Sequence, residues 1–185
     1  MIEGLKVTPL QVFEDDRGAL FEVIHTYDLP GGRYERTELR SGLRGELVDA
    51  RERLFPGKFG QVYVVSDPVR GTVRAFHKHK VLVDYFCIVS GAAKFVFVDD
   101  SQDTFKETGV AKPGNTQIVV ASGERPVLIT VPPGVYHGWV SLTDNTTLLS
   151  IASELYDKQS PDEVRVPPNS FDAEFGENPW MVKGR

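Results

Sequence analysis

Short apolar runs separated by turn residues fill most of the chain, and this pattern predicts β-strands. Eight such runs, rich in Val, Phe and Tyr, follow one another with no long helical period between them. They are Phe59–Ser66, Thr72–His77, Val81–Val89, Ala92–Asp99, Gln117–Ala121, Val127–Val131, Tyr136–Leu142 and Thr146–Ser153. Strands at this spacing are typical of antiparallel sandwiches and barrels. The pattern therefore predicts an all-β protein.

Both ends of the chain extend this pattern. Val7–Glu14 and Ala19–Thr26 are predicted to be two earlier strands, joined by a turn. Residues 27–60 combine Pro and Gly with many charges, so we expect an extended insertion on the surface. Residues 157–185 are polar and rich in Pro, which suits a tail that wraps over the barrel. We expect one domain for the whole chain.

Composition narrows the class of protein. The 185 residues are enough to bury a substantial core, and the formal charge of −5, without a Lys/Arg block, argues against a general nucleic-acid binder. No apolar run reaches the length of a membrane span, and the N-terminus lacks the features of a signal peptide. The single cysteine, Cys87, excludes an internal disulfide. We expect a cytoplasmic protein that binds neither membranes nor nucleic acid.

Three of the four histidines fall in two short stretches. His77 and His79 share one face if their segment is extended, and Asp84 opens the next apolar run. His137 comes from a separate strand. If the stretches are neighbours, the four side chains form a polar pocket whose ligand types suit Zn, Fe, Ni or Mn. The alternative is that the histidines are hydrogen-bonded barrel residues without a ligand.

The spacing around these residues resembles the two sequence motifs of the cupin superfamily. The first motif matches Gly71, His77, His79, Asp84 and Gly91, with Asp where Glu is usual, and the second matches Pro132, Gly134 and His137. The resemblance implies a double-stranded β-helix, or jelly roll. It also implies that a divalent ion could be held by His77, His79, Asp84 and His137.

A closer resemblance covers residues 7–166. Four segments are similar to dTDP-4-dehydrorhamnose 3,5-epimerase: Asp15–Glu22, Gly71–His77, Pro132–Trp139 and Tyr156–Glu163. The resemblance implies a homodimeric cupin that binds a nucleotide-linked 4-keto sugar and requires no cofactor. It makes His77 the base that removes a proton next to the ketone.

The same resemblance assigns further residues. Arg74 and His137 match the polar pocket, and Asp84 lies where the family has its pocket lysine. Arg17 and Glu22 match the segment that reaches the nucleotide in the partner subunit.

The chain departs from the family at the proton donor. The family's tyrosine acid falls at Ser150, whose hydroxyl is too weakly acidic for that role, and the family's Gln and Asn on the preceding strand fall at Val62 and Val64. The candidate replacements are Tyr85, Tyr136 and Tyr156. Tyr85 is the poorest of them, because strand alternation points its side chain to the face opposite that of Asp84.

Three functions follow from these residues. The first is an epimerase-like isomerase with an altered active site, with His77, His137 and Tyr156 as catalytic residues. The second is a metal-dependent cupin enzyme that acts on another small molecule. The third is a cupin that binds a sugar without turning it over.

Overall fold

The computed structural model describes residues 1–16, 18–23, 60–103, 105 and 116–182. This part of the chain forms two five-stranded antiparallel sheets, a separate hairpin and a short helix. No helix within it has the length and apolarity needed to cross a membrane.

The first sheet holds five strands in the order β1-β9-β6-β11-β4. Their bounds are β1 Lys6–Pro9, β4 Gln61–Asp67, β6 Asp84–Ser90, β9 Val127–Val131 and β11 Thr146–Ala152. The strand β4 therefore forms one edge of this sheet.

The second sheet holds five strands in the order β12-β5-β10-β7-β8. Their bounds are β5 Val73–Lys78, β7 Ala92–Asp99, β8 Thr116–Ser122, β10 Val135–Ser141 and β12 Val164–Arg165. The two-residue strand β12 covers only the end of β5: it pairs with His77 and Lys78, and the next residue, Val166, exchanges two backbone hydrogen bonds with Phe76.

Side chains of both sheets meet in one core between them. The first sheet contributes Phe86, Ile88, Ile129, Val131 and Leu148, and the second contributes Ala93, Phe95, Phe97, Val135 and Trp139. These positions recur with period two along their strands, as expected for one buried face of a sheet. They define the inner face of the barrel, to which the site residues belong.

The outer faces are covered by the two ends of the chain. The hairpin of β2 (Val12–Asp15) and β3 (Gly18–Phe21) precedes Val23, which packs with Leu10 against Tyr85 on the first sheet. The C-terminal segment, with the helix α1 (Asp172–Phe175), covers the second sheet. Phe171 and Trp180 of this segment pack against Phe76 there.

The predicted fold class is confirmed, and the eight strands β4 to β11 lie within three residues of their predicted bounds, whereas β12 was not predicted. The prediction of one strand over Val7–Glu14 was wrong, because the chain divides it into β1, paired with β9, and β2, paired with β3. Residues 24–59, and with them nearly all of the predicted insertion at 27–60, lie outside the described residues.

Candidate active site

The structure brings His77, His79, Asp84 and His137 together at one point between the sheets. Each offers one ligand atom, and the four atoms lie within 4.8 Å of one another. His77 and His137 are register partners on β5 and β10, and their ring centroids are 4.1 Å apart. Asp84 reaches them from the opposite sheet as the first residue of β6.

A β-bulge in β5 determines which side chains reach this point. His77 pairs with His137 and Arg74 pairs with Trp139, so two residues of β5 lie opposite Gly138 alone. The extra residue places Arg74 and His77, three apart, on the same inner face, which simple alternation would not allow. The Arg74 guanidinium donates to the buried carboxylate of Asp67 through Nε at 2.9 Å and Nη2 at 2.8 Å.

Gly138 makes room for this bulge. A Cβ atom at Gly138 would lie 2.4 Å from the Ala75 Cβ and 2.7 Å from the Arg74 carbonyl oxygen. Neither atom belongs to a flexible side chain, so the two strands would have to move apart. The glycine therefore maintains the register that pairs His137 with His77.

Backbone carbonyls determine the tautomers of two histidines. His137 Nδ1 lies 2.9 Å from the Val135 carbonyl oxygen, and His79 Nδ1 bonds to the Asp162 carbonyl oxygen. A carbonyl can only accept, so both Nδ1 atoms carry the hydrogen. In neutral rings, the two Nε2 atoms then present bare lone pairs.

Both lone pairs point at the same carboxylate. Asp84 Oδ2 lies 3.4 Å from His79 Nε2 and 3.2 Å from His137 Nε2. Neither His137 Nε2 nor Asp84 Oδ2 has a hydrogen-bond partner within the described residues, although both atoms are buried. A proton or a metal ion between these acceptor atoms would relieve the repulsion of their lone pairs. The donor set fits a divalent transition metal.

Asp162 holds the loop that carries His79. Its carboxylate accepts hydrogen bonds from the backbone N–H groups of Lys80 at 3.0 Å, Val81 at 2.9 Å and Leu82 at 2.9 Å. Burial alone would raise the pKa of Asp162, but these N–H donors lower it below its ordinary value. The late segment Tyr156–Glu163 thus contributes to the site by positioning His79.

His77, to which the resemblance assigns the role of base, has an unusual pKa. Burial lowers its pKa far below the ordinary value, and the neighbouring rings of His137 and His79 and the guanidinium of Arg165 lower it further. Within the described part of the chain, neither of its ring nitrogens makes a hydrogen bond. His77 is therefore neutral at pH 7, and the lowered pKa also makes it a weaker base than an ordinary imidazole.

Tyr63 on β4 adds a phenol to the site that the sequence analysis did not select. It pairs in register with Ser150 of β11, and it shares a strand face with Val65, which packs on the core between the sheets. Burial raises its pKa; the Ser150 hydroxyl opposes the rise, and the charge of Asp84 adds to it. The Ser150 Oγ is fully buried and has no partner in hydrogen-bond geometry within the described residues.

The strand β12 adds a charged pair at the rim. Arg165 pairs in register with His77, and its Nη2 lies 2.7 Å from Glu163 Oε1. Both charges act on the Tyr63 phenol as well. The edge strands β4 and β12 therefore border the same opening of the barrel.

The other predicted residues lie elsewhere or are not described. Arg17 lies outside the described residues. Glu22 is exposed after β3, in the hairpin rather than in the sheets that hold the histidines. Tyr156 is 54% exposed in the segment after β11, where its backbone N–H donates to Gln61 Oε1 at 3.4 Å.

The remaining predicted donors point away from the inner face. Tyr85 packs against the outer core under the hairpin, where burial raises its pKa to about 12. Tyr136 packs under the C-terminal segment, with Lys78 Nζ 4.9 Å from its ring centroid. Their positions agree with the alternation of side chains along β6 and β10.

Similar proteins were found among curated sequences, although no protein-family model matches the chain. The spore coat polysaccharide biosynthesis protein SpsL of Bacillus subtilis is 28% identical over 168 residues, which is 90% of each chain. The probable low-salt glycan biosynthesis epimerase Agl13 of Haloferax volcanii is 29% identical over 168 residues, which is 90% of this chain and 88% of its own.

Solved structures with the same fold include a sugar epimerase in complex with a dTDP-sugar and a sugar ketoisomerase in complex with TDP. ChmJ, a 3'-monoepimerase from Streptomyces bikiniensis in complex with dTDP-quinovose, matches with a TM-score of 0.65 and 22% identity over 95% of this chain and 74% of its own. QdtA, a sugar 3,4-ketoisomerase from Thermoanaerobacterium thermosaccharolyticum, matches with a TM-score of 0.61 and 18% identity over 95% of this chain and 98% of its own. The resemblance identified from the sequence is confirmed at the level of the fold, which the chain shares with ChmJ and QdtA.

Proposed function

We propose that the protein is a nucleotide-sugar epimerase or isomerase with an altered active site, acting next to the ketone of a dTDP-4-keto-6-deoxy sugar. The observation that carries this proposal is His77, a neutral imidazole on the inner face of the barrel beside two further histidines. The proteins similar to this chain include a probable glycan-biosynthesis epimerase, a monoepimerase in complex with dTDP-quinovose and a sugar ketoisomerase in complex with TDP. These similarities support the substrate class.

The chemistry requires a base held against the sugar. A hydrogen on the carbon next to a ketone is weakly acidic, and a positioned imidazole can remove it at neutral pH. The electron pair of the broken C–H bond moves into an enolate, which a proton then attacks from one face or the other. Because a base and a proton donor suffice, the reaction needs no cofactor.

Two guanidinium groups favour the enolate once it forms. His137 lies against His77 with its Nδ1–H donated to the Val135 carbonyl, so it would donate to an enolate only through a protonated Nε2. Arg74 and Arg165 supply positive charge on the inner face and at the rim, which stabilises developing negative charge. Both guanidinium groups already pair with a carboxylate, so each retains only part of its effect.

Nucleotide binding and assembly complete the proposal. Arg17 and Glu22 are proposed to contact the nucleotide, and Asp84 to contact the sugar. Tyr156, exposed beside β4, remains a candidate for the proton donor. The active form is proposed to be a cytoplasmic homodimer of single-domain chains, with residues 157–185 wrapped over the barrel.

Exchange of solvent deuterium tests this function. The protein should incorporate deuterium next to the ketone of a dTDP-4-keto-6-deoxy sugar, and His77→Asn should abolish the incorporation while the melting temperature stays within a few degrees. A UDP-linked 4-keto sugar serves as the second substrate. Binding of both nucleotides without any exchange would contradict the proposal and leave plain sugar binding.

A second candidate function, a metal-dependent cupin enzyme, is favoured by one specific observation. His79 and His137 both direct Nε2 at Asp84 Oδ2 while a backbone carbonyl holds each Nδ1. Metal-binding histidines show this same arrangement of a ligating nitrogen and an anchored second nitrogen. These residues and His77 would hold a divalent ion, which would supply Lewis-acid polarisation of a bound carbonyl.

Metal analysis separates the two candidates. Protein purified without added metal should contain close to one Zn, Fe, Ni or Mn per chain if the second candidate holds, and His79→Ala should lose it. Protein that is free of metal, fully folded and unaffected by added divalent ions would exclude this candidate.

A further inference from the structure

Tyr63 lies directly across the strand pair from the position where the resemblance places its proton donor. The donor position holds Ser150 in this chain, and Ser150 on β11 is the register partner of Tyr63 on β4. Side chains of register partners have Cβ atoms about 4.5–5.5 Å apart and point to the same face of the sheet. A phenol at either position can therefore reach into the same part of the barrel.

Several contacts place the Tyr63 side chain on the inner face. Val65, two residues further along β4, packs against the core between the sheets, and Asp67 pairs with Arg74 of the opposite sheet. Tyr63 is also the register partner of Ser150, whose side chain is fully buried. At 40% exposure it remains accessible from the opening between β4 and β12.

From this placement we infer that Tyr63 is the catalytic proton donor of the epimerase, replacing from the neighbouring strand the phenol absent at Ser150. This inference rests on the function proposed above. Of the described tyrosines that lie in strands, Tyr63 alone faces the interior, because Tyr85 and Tyr136 pack on the two outer faces.

The geometry suits inversion at carbon. His77 belongs to the second sheet and Tyr63 to the first, so a sugar bound between the sheets has one group on each side. His77 removes the hydrogen next to the ketone as a proton, and the electron pair of the C–H bond forms the enolate. The Tyr63 O–H then transfers its proton to the opposite face of the same carbon, and the enolate electrons form the new C–H bond. Solvent takes the proton from His77 and returns one to Tyr63.

The variant Tyr63→Phe separates the two half-steps. In deuterated water it should still exchange the hydrogen next to the ketone, because His77 can return deuterium to the face that it deprotonated. Formation of the inverted sugar should fall by at least about 100-fold, within the range lost with a general acid. NMR distinguishes deuterium incorporated with retention from deuterium incorporated with inversion.

Two matched variants serve as controls. Tyr85→Phe removes a phenol from the outer face of the same sheet and should invert the sugar at the wild-type rate. The double variant Tyr63→Ser/Ser150→Tyr swaps the two residues and moves the phenol to β11. It should restore inversion to within about tenfold of wild type. If the exchanged variant does not fold, Tyr63→Phe decides the question alone.

The possible failures can be told apart. A wild-type protein that exchanges no deuterium into any 4-keto sugar nucleotide overturns both the proposed function and the role of Tyr63. A wild-type protein that inverts the sugar, with Tyr63→Phe inverting it equally fast, overturns only the role of Tyr63. The same holds if Tyr156→Phe alone shows exchange without inversion, or if Tyr63→Phe loses exchange and inversion together.

Discussion

Replacing Asp84 by asparagine should stabilise the protein once all metal has been removed. The Asp84 carboxylate faces two imidazole lone pairs at 3.2 Å and 3.4 Å, and an asparagine amide in the same place can donate an N–H to each. Two added hydrogen bonds at about 0.5–1.5 kcal/mol each give a gain of about 1–3 kcal/mol in the free energy of unfolding. For a chain of this length the melting temperature should rise by about 2–12 °C.

The assay compares wild type and Asp84→Asn in chelator at about pH 8, where ordinary imidazoles are neutral. Urea unfolding gives the free energies, and Asp162→Asn is the matched control. Asp162 accepts three backbone N–H bonds, so the same chemical change there should destabilise the protein. The two Asp→Asn variants are thus expected to shift stability in opposite directions.

Bound metal should reverse the order of stability of wild type and Asp84→Asn. A divalent ion at about 100 times its dissociation constant adds about 2.7 kcal/mol to the wild type, and Asp84→Asn should gain much less. If Asp84→Asn instead destabilises the chelated protein by more than about 1 kcal/mol, a histidine is donating a proton to the carboxylate. The lone-pair argument would then be refuted.

Three further predictions concern the residues that support the site. Asp162→Asn should lose less stability than wild type between about pH 5 and about pH 2, since a lowered native pKa contributes stability above the ordinary value and loses it as pH falls through the lowered one; acid unfolding measures this. Lys78→Met should cost about 3–5 kcal/mol in urea unfolding, because it leaves the Asp100 carboxylate, 2.7 Å from Nζ and wholly buried, without its ion pair; adding Asp100→Asn should recover part of the loss, and a loss below about 1 kcal/mol would contradict the reasoning. Gly138→Ala should reduce both stability and deuterium exchange by separating β10 from β5 near Ala75, and a variant with wild-type exchange would show that the close approach does not position the histidines.

The histidine cluster was predictable because the spacing of its residues along the chain indicates which of them share a face. His77 and His79 are two residues apart, and His137 follows a Pro-x-Gly turn with the spacing of the second cupin motif. Asp84 begins an apolar run, so its alternation with Phe86 and Ile88 places it on the core face. These features need only local period and order along the chain.

Tyr63 was missed because its strand is apolar on both faces. The run Val62–Val65 shows no alternation of apolar and polar residues, so periodicity alone cannot say which face of the strand is buried. The resemblance drew attention to Val62 and Val64, yet these are 50% and 61% exposed. A shift of one residue in such a strand reverses every side chain, and only the packing of Val65 determines the direction.

Arg74 shows that alternation along a strand can also predict the wrong face. Strict alternation from His77 would place Arg74 on the other face of β5, and the bulge opposite Gly138 returns it to the inner face. The sequence also gives no sign that Asp67, seven residues earlier, will accept its guanidinium. Partners brought together by a bulge and a neighbouring sheet depend on tertiary structure, which a single sequence does not encode locally.

One negative charge links the two candidate functions. With neutral histidines, the cluster carries the charge of Asp84. Proton transfer to His77 then forms an imidazolium and an enolate together, so Asp84 stabilises the imidazolium and repels the enolate. At an effective dielectric constant of about 20, two unit charges 5 Å apart repel by about 3 kcal/mol, or roughly a factor of 100 in rate. A cation at Asp84, either a shared proton or a divalent ion, would remove this repulsion. Deuterium exchange measured in chelator and again after metal is restored separates the two candidate functions: exchange that survives the chelator needs no metal, and exchange that returns only with metal makes the epimerase itself metal-dependent.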